Sequence, residues 1–139
     1  MNTTLDVKAA AKGAALGGFV AGVVCVGIYF LAAAIGADFR PRDPAAMGGM
    51  EVLPFFQPMV NCLIAAVVSI VLVAILAKLA GTRAWSIYVG IAVAVFLVEL
   101  YLPFWAFADM KTIAALELMH VPATLGVVGG IYTARRPIR

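Results

Sequence analysis

The sequence predicts an all-α integral membrane protein: a bundle of four transmembrane helices, with helices two to four in an up-down meander and both termini in the cytoplasm. Three observations carry that expectation. Of the 139 residues, 65% are apolar and only 12% charged, whereas an ordinary soluble domain is about half apolar and about a quarter charged. The apolar residues fall into runs of about 20 or more, the length a helix needs to cross a hydrocarbon core. The ten Lys and Arg residues gather at the ends of those runs, as they do in membrane proteins. So little charge cannot cover the surface of a soluble fold. This excludes a soluble enzyme, a disordered chain and a free nucleic-acid-binding domain, even at a net charge of +3. The expected partner is the lipid bilayer, with no nucleic acid.

The spans are expected near residues 13–35, 55–77, 84–107 and 112–134, in a single integral membrane domain with an external loop over 36–54. The first run follows Lys8 and Lys12 and ends among small residues, as a signal peptide does. Its apolar part is about twice the usual length of such a segment, so it is read as a retained span. The second run carries no charge, the third carries Glu99, and the fourth carries Glu117 and the only histidine, His120.

Orientation follows from the basic residues. Lys8, Lys12, Lys78, Arg83, Arg135, Arg136 and Arg139 fall on one side of a four-span arrangement. The other side has Arg40, Arg42 and Lys111, outnumbered there by Asp38, Asp43, Glu51 and Asp109. The excess of Lys and Arg on cytoplasmic faces puts both termini inside, in the cell's inner (plasma) membrane.

The connections differ in kind. Lys78 to Arg83 is a tight turn, with Gly81 available as a helix C-cap, and Asp109-Met110-Lys111 is equally tight. The first connection holds Pro41, Pro44, Pro54 and Pro58, a flexible Met47-Gly48-Gly49-Met50 stretch and an apolar Val52–Phe56 segment. It reads either as a cap dipping into the interface or as a plain loop. Trp85, Tyr88, Trp105 and Tyr132 lie near the expected span ends and read as an interfacial aromatic belt.

Two further signals concern packing and chemistry. Gly13, Gly17 and Ala21 form one line on the first helix, and Ala14, Gly18 and Gly22 the adjacent line; Gly126 and Gly130 repeat the device on the last. Small residues spaced by four let helix backbones approach closely, either inside the bundle or against another chain. The second signal is a layer of polar residues. Glu99 lies nine residues before the turn near Ala108 and Glu117 nine after it. In adjacent antiparallel helices both would sit roughly 12 to 14 Å from the helix ends, at about 1.5 Å per residue. His120 shares a face with Glu117, Asn61 lies at similar depth on the second helix, and Tyr101 flanks the cluster. Two carboxyls and an imidazole away from water cannot all stay charged, so a shared proton is expected.

Several chemistries compete for that layer. Proton-coupled binding or transport of a small or cationic solute is one; a buried interhelical pair fixing helix register is another. Glu117 and His120 also have the i, i+3 spacing of a metal-ligand pair, but a full di-metal site needs a second such pair. Cys25 and Cys62 lack the spacing of a redox motif and read as packing residues. No cofactor is required by the sequence, and no hydrolase triad is evident. Pro103 and Pro122 can free backbone carbonyls near the polar layer.

Leu79-Ala-Gly-Thr-Arg-Ala-Trp85, and Thr112-Ile-Ala-Ala-Leu-Glu-Leu-Met-His-Val121 with its Leu-x-Met-His core, resemble a family of small four-helix bacterial membrane proteins of unknown function, common in actinobacteria. The resemblance covers roughly residues 54–131. It implies four spans and a histidine early in the last helix, and no substrate, cofactor or reaction. Two functions are therefore carried forward. One is a non-enzymatic accessory subunit or self-associating bundle (a homo-oligomer or part of a larger membrane complex). The other is a small transporter or solute-binding bundle working through Glu99, Glu117 and His120.

Overall fold

The computed structural model describes residues 3–137. Its elements run β1 (Thr3–Leu5), α1 (Val7–Ala34), α2 (Gln57–Ala80), a 3-10 turn (Gly81–Arg83), α3 (Ala84–Glu99), α4 (Leu102–Ala106), α5 (Met110–Tyr132) and β2 (Arg135–Pro137). The fold is all-α apart from the short ribbon in which β1 and β2 pair antiparallel, Thr3 opposite Pro137. That pairing puts the two ends of the described chain side by side. Arg139, one of the basic residues used to orient the chain, lies outside the described residues.

Local chemistry sets the helix ends. Asp6 caps α1, its carboxylate accepting from the Ala9 N–H at 3.0 Å. At the other end Gly36 turns at φ 89°, while the N–H groups of Gly36 and Ala37 donate back to Ala33 and Ala32. This is the left-handed closure that frees a chain from a helix. Gly81, at φ 53°, ends α2 in the expected place. Asp109 caps α5, accepting from the N–H groups of Lys111 at 3.3 Å and Thr112 at 2.9 Å.

Among the described residues, three helical stretches, not four, are long and apolar enough to cross a membrane: Val7–Ala34, Gln57–Ala106 and Met110–Tyr132. The expected third span is the point of departure. Its helix α3 has 16 residues, about 24 Å at 1.5 Å per residue, against a hydrocarbon core of about 30 Å. Pro103 explains the break. It has no N–H to give the Glu99 carbonyl four residues back, and its ring would clash there. The helix therefore stops at Glu99, and a new short helix, α4, starts with Pro103 in its first turn.

The helices alternate in direction. Gly13 meets Gly130 and Gly17 meets Gly126, so α1 and α5 are antiparallel; Gly18 meets Ala66 and Gly22 meets Met59, so α1 and α2 are too. The Gln57–Ala106 stretch folds back on itself at the 3-10 turn. α1 packs most extensively, against α5 and α2, and α3 is held more loosely against α2 and α5. The core forms two clusters, one around Cys25, Tyr29, Phe39, Cys62 and Met119, the other around Ala14, Val73, Tyr88 and Ile131.

The glycine stripe of α1 is consumed inside the chain. A Cβ at Gly13 or Gly17 would overlap the carbonyl of Gly130 or Gly126. A Cβ at Gly18 would meet Ala66 Cβ at 2.8 Å and the Cys62 carbonyl oxygen at 3.0 Å, and one at Gly22 would meet Met59. The alternative that Gly17, Gly18 and Gly22 face another chain is thereby corrected. Only missing side chains permit backbones this close, and α2 and α5 already occupy both lines.

The long connection is a pinned cap. Phe39 is buried at φ 53°, stacked on Tyr29 with ring centroids 4.1 Å apart. Its N–H donates to Thr112 Oγ1 at 3.0 Å, and its carbonyl accepts from Leu53 N–H at 2.9 Å. The Tyr29 hydroxyl donates to the Leu53 carbonyl at 2.8 Å. Arg42 Nε donates to the Phe107 carbonyl at 2.7 Å, and Lys111 Nζ to the Ile35 carbonyl at 2.8 Å. A non-glycine residue at positive φ costs about 1–3 kcal/mol; here five hydrogen bonds and a ring stack hold the loop in place.

Candidate functional site: a cavity between α2, α3 and α5

Loose seating of α3 leaves a half-open cavity of about 530 Å³ along α2, α3 and α5, with Cys25 of α1 and Leu53 of the cap also lining it. Most of its lining is aliphatic: Ile64, Ala65, Val68 and Leu72 from α2, Ile91, Ala92 and Val95 from α3, and Ala123, Val127 and Val128 from α5. The polar lining is sparse and comes from three helices. Asn61, Cys62 and Ser69 stand on α2, Tyr88 and Glu99 on α3, and His120 and Thr124 on α5.

These polar residues are ordered along the cavity by the antiparallel run of the helices. Asn61 opens α2, Glu99 closes α3 and His120 lies in the first half of α5, so all three belong to the end covered by the cap. Glu99 of α3 stands near Cys62 of α2. Deeper in, Tyr88 of α3 stands opposite Ser69 of α2. Beyond that pair the lining is aliphatic.

Of the five residues expected in the polar layer, Glu99, His120 and Asn61 line the cavity. Glu117 does not, although it stands beside His120, and its Oε1 is buried without a hydrogen-bond partner, as is His120 Nδ1. Tyr101 is 69% exposed and turned away. The break between α3 and α4 falls between Glu99 and Tyr101 and separates their directions. Asn61 is itself held by Gln57, whose Nε2 donates to Asn61 Oδ1 at 2.9 Å. Among the described residues, no three His, Cys, Asp or Glu side chains come together as metal ligands, so Glu117 and His120 lack a third donor.

Tyr88 corrects a further expectation. It was placed in the aromatic belt by its position near a span end, yet it is 2% exposed and lines the cavity. Trp85 and Tyr132 remain at the ribbon end, where the Arg135 guanidinium lies 5.2 and 5.0 Å from their ring centres. Trp105 is exposed. The cysteines were read as separate packing residues. They face each other across α1 and α2 with sulfurs 3.9 Å apart, and Cys25 donates to the Met119 carbonyl at 3.3 Å. Both line the cavity. Facing pairs such as 25/62 and 69/88 were derivable only with the register of each hairpin in hand.

Chemically, the site offers one carboxyl, one imidazole, a carboxamide and three hydroxyls around an apolar volume. Such a site can hold a largely apolar molecule and orient one polar group. The model of a family described as Family of unknown function (DUF6069) matches residues 6–136 of the chain. No curated protein and no solved structure matches it.

Proposed function

The chain belongs to that family, and we propose that it is an integral membrane protein that binds a small, largely apolar solute between α2, α3 and α5, anchored by Glu99, His120 and Asn61. The cavity carries the reading. Its volume of about 530 Å³ lies in the range of small-molecule sites, about 300–1,000 Å³, and aliphatic walls with a few converging polar groups are their usual make-up. The membrane setting rests on the three long apolar stretches and on the many large apolar side chains facing outward from α1, α2 and α3, which lipid would cover.

The paired ends share one side of the bilayer. Lys8, Lys12, Lys78, Arg83, Arg135 and Arg136 cluster toward that end of the chain's hairpins, which supports a cytoplasmic ribbon end in the plasma membrane.

The test uses protein carrying 13C-methyl alanine in lipid nanodiscs, titrated with n-decanol. Saturable shifts of the Ala123 methyl, abolished when Ala92→Phe fills the cavity, are the expected result. A methyl that moves only linearly with alcohol, as lipid partitioning alone would cause, overturns the reading.

A second reading, proton-coupled transport of the solute, draws on the buried, unpartnered Glu117 Oε1 and His120 Nδ1, three residues apart on α5. An ionisable group with no partner in a span is a proton-handling candidate. It predicts solute-driven proton uptake into proteoliposomes that Glu117→Gln removes; solute binding without proton movement refutes it.

A further inference from the structure

We infer that the solute is an amphiphile with a single cationic head, an amine or quaternary ammonium on an aliphatic body. This rests on the cavity being a binding site and adds its chemical class.

Charge is the first observation. Among the described residues, Glu99 is the only Asp, Glu, Lys or Arg side chain in the cavity lining, and His120 is the only histidine there. A carboxylate removed from water is costly unless a proton or a cation accompanies it. The basic side chains at that end of the fold do not serve. Lys111 Nζ is bonded to the Ile35 carbonyl and Arg42 Nε to the Phe107 carbonyl, and neither lines the cavity. Among the described residues the lining thus offers Glu99 no Lys or Arg partner, only the imidazole of His120. An anionic head would meet a like charge at the same place.

Shape is the second observation. The ionisable Glu99 and His120 side chains lie with Asn61 beneath the cap, whereas the lining toward the 3-10 turn carries only the hydroxyls of Ser69, Tyr88 and Thr124 among aliphatic side chains. A molecule with charges at both ends would bury one of them in hydrocarbon. A one-headed molecule matches the gradient, its head at Glu99 and its tail running toward the 3-10 turn. Only one aromatic ring, Tyr88, lines the volume, so the walls favour an aliphatic body over stacked rings.

Three probes of equal chain length separate the class from the site. In nanodiscs of zwitterionic lipid, decyltrimethylammonium, decanesulfonate and n-decanol are titrated separately against the Ala92 and Ala123 methyl resonances, with partitioning into empty discs subtracted. The expected result is an ammonium affinity about tenfold or more above that of the sulfonate, the scale of one charge-assisted contact. Glu99→Gln should erase that preference and leave decanol binding intact, while Glu99→Asp should keep it. Equal affinities in the wild-type protein, or a preference that survives Glu99→Gln, overturn the cationic class while decanol binding still upholds the cavity. Absence of saturable shifts with all three overturns the cavity as well. Should Glu99→Gln fail to fold, the wild-type comparison of ammonium with sulfonate decides by itself.

Discussion

Replacing Gly17 by alanine tests the packing that defines the bundle. A Cβ there would overlap the Gly126 carbonyl oxygen and lie 2.7 Å from its carbonyl carbon, where real Cβ atoms stay beyond 3.0 Å. The obstacle is backbone, so no rotamer change relieves it, and α1 and α5 must move apart by an ångström or so. Overpacking of this kind costs about 1–3 kcal/mol. The close backbone approach also brings Cα–H groups to carbonyls, worth about 0.5–1 kcal/mol each, which separation would weaken. Alanine's better helix propensity returns up to about 1 kcal/mol. The net expectation is a loss of about 2 kcal/mol. Gly27 supplies the control, because a Cβ there meets nothing within 4 Å, so Gly27→Ala should be neutral or stabilising by up to about 1 kcal/mol. Reversible unfolding in mixed micelles with rising SDS, followed by far-UV circular dichroism, measures both. A Gly17→Ala protein as stable as Gly27→Ala would refute the α1–α5 interface described above.

Two further perturbations probe the cap and the start of α5. Thr112 is fully buried; its hydroxyl accepts from the Phe39 N–H and donates to Asp109 Oδ2 at 2.7 Å. Thr112→Val should lose about 1–3 kcal/mol, the cost of leaving that N–H unpaired, and Thr112→Ser should recover most of it; a valine variant matching wild type in the same SDS titration removes the bond from the account. Asp109 is held below its ordinary value of 3.8, first by the Thr112 hydroxyl, then by the Thr112 and other backbone N–H groups. A lowered folded-state value means that its contribution is complete above about pH 4–5 and fades as pH falls through the folded value. The stability gap between wild type and Asp109→Asn should therefore be constant near neutrality and shrink below about pH 4; a gap unchanged down to pH 2 contradicts the capping role.

Membrane compatibility, helical class and the turn positions were determined by the sequence alone, because they depend on composition and local backbone chemistry. Runs of apolar residues and the Gly81 cap act within a few residues of themselves; Pro103 does too, although its break of the expected 84–107 span appeared only in the structure. Counting from the turn near Ala108 paired Glu99 with Glu117 in depth and put His120 on the same face of the last helix; of these, Glu99 and His120 line the cavity and Glu117 does not. Which face of each helix looks inward was not legible. In a soluble helix a polar stripe marks the outside; here the outward and core-facing sides are both apolar, so Leu16 and Val73, exposed and buried respectively, carry no distinguishing pattern. The same ambiguity left the glycine stripe with two possible partners, put Tyr88 in the belt, and grouped Tyr101 and Glu117 with the cavity residues. Only the tertiary structure decided these, because close packing of α1 against two neighbours fills some faces and leaves the volume beside α3 open.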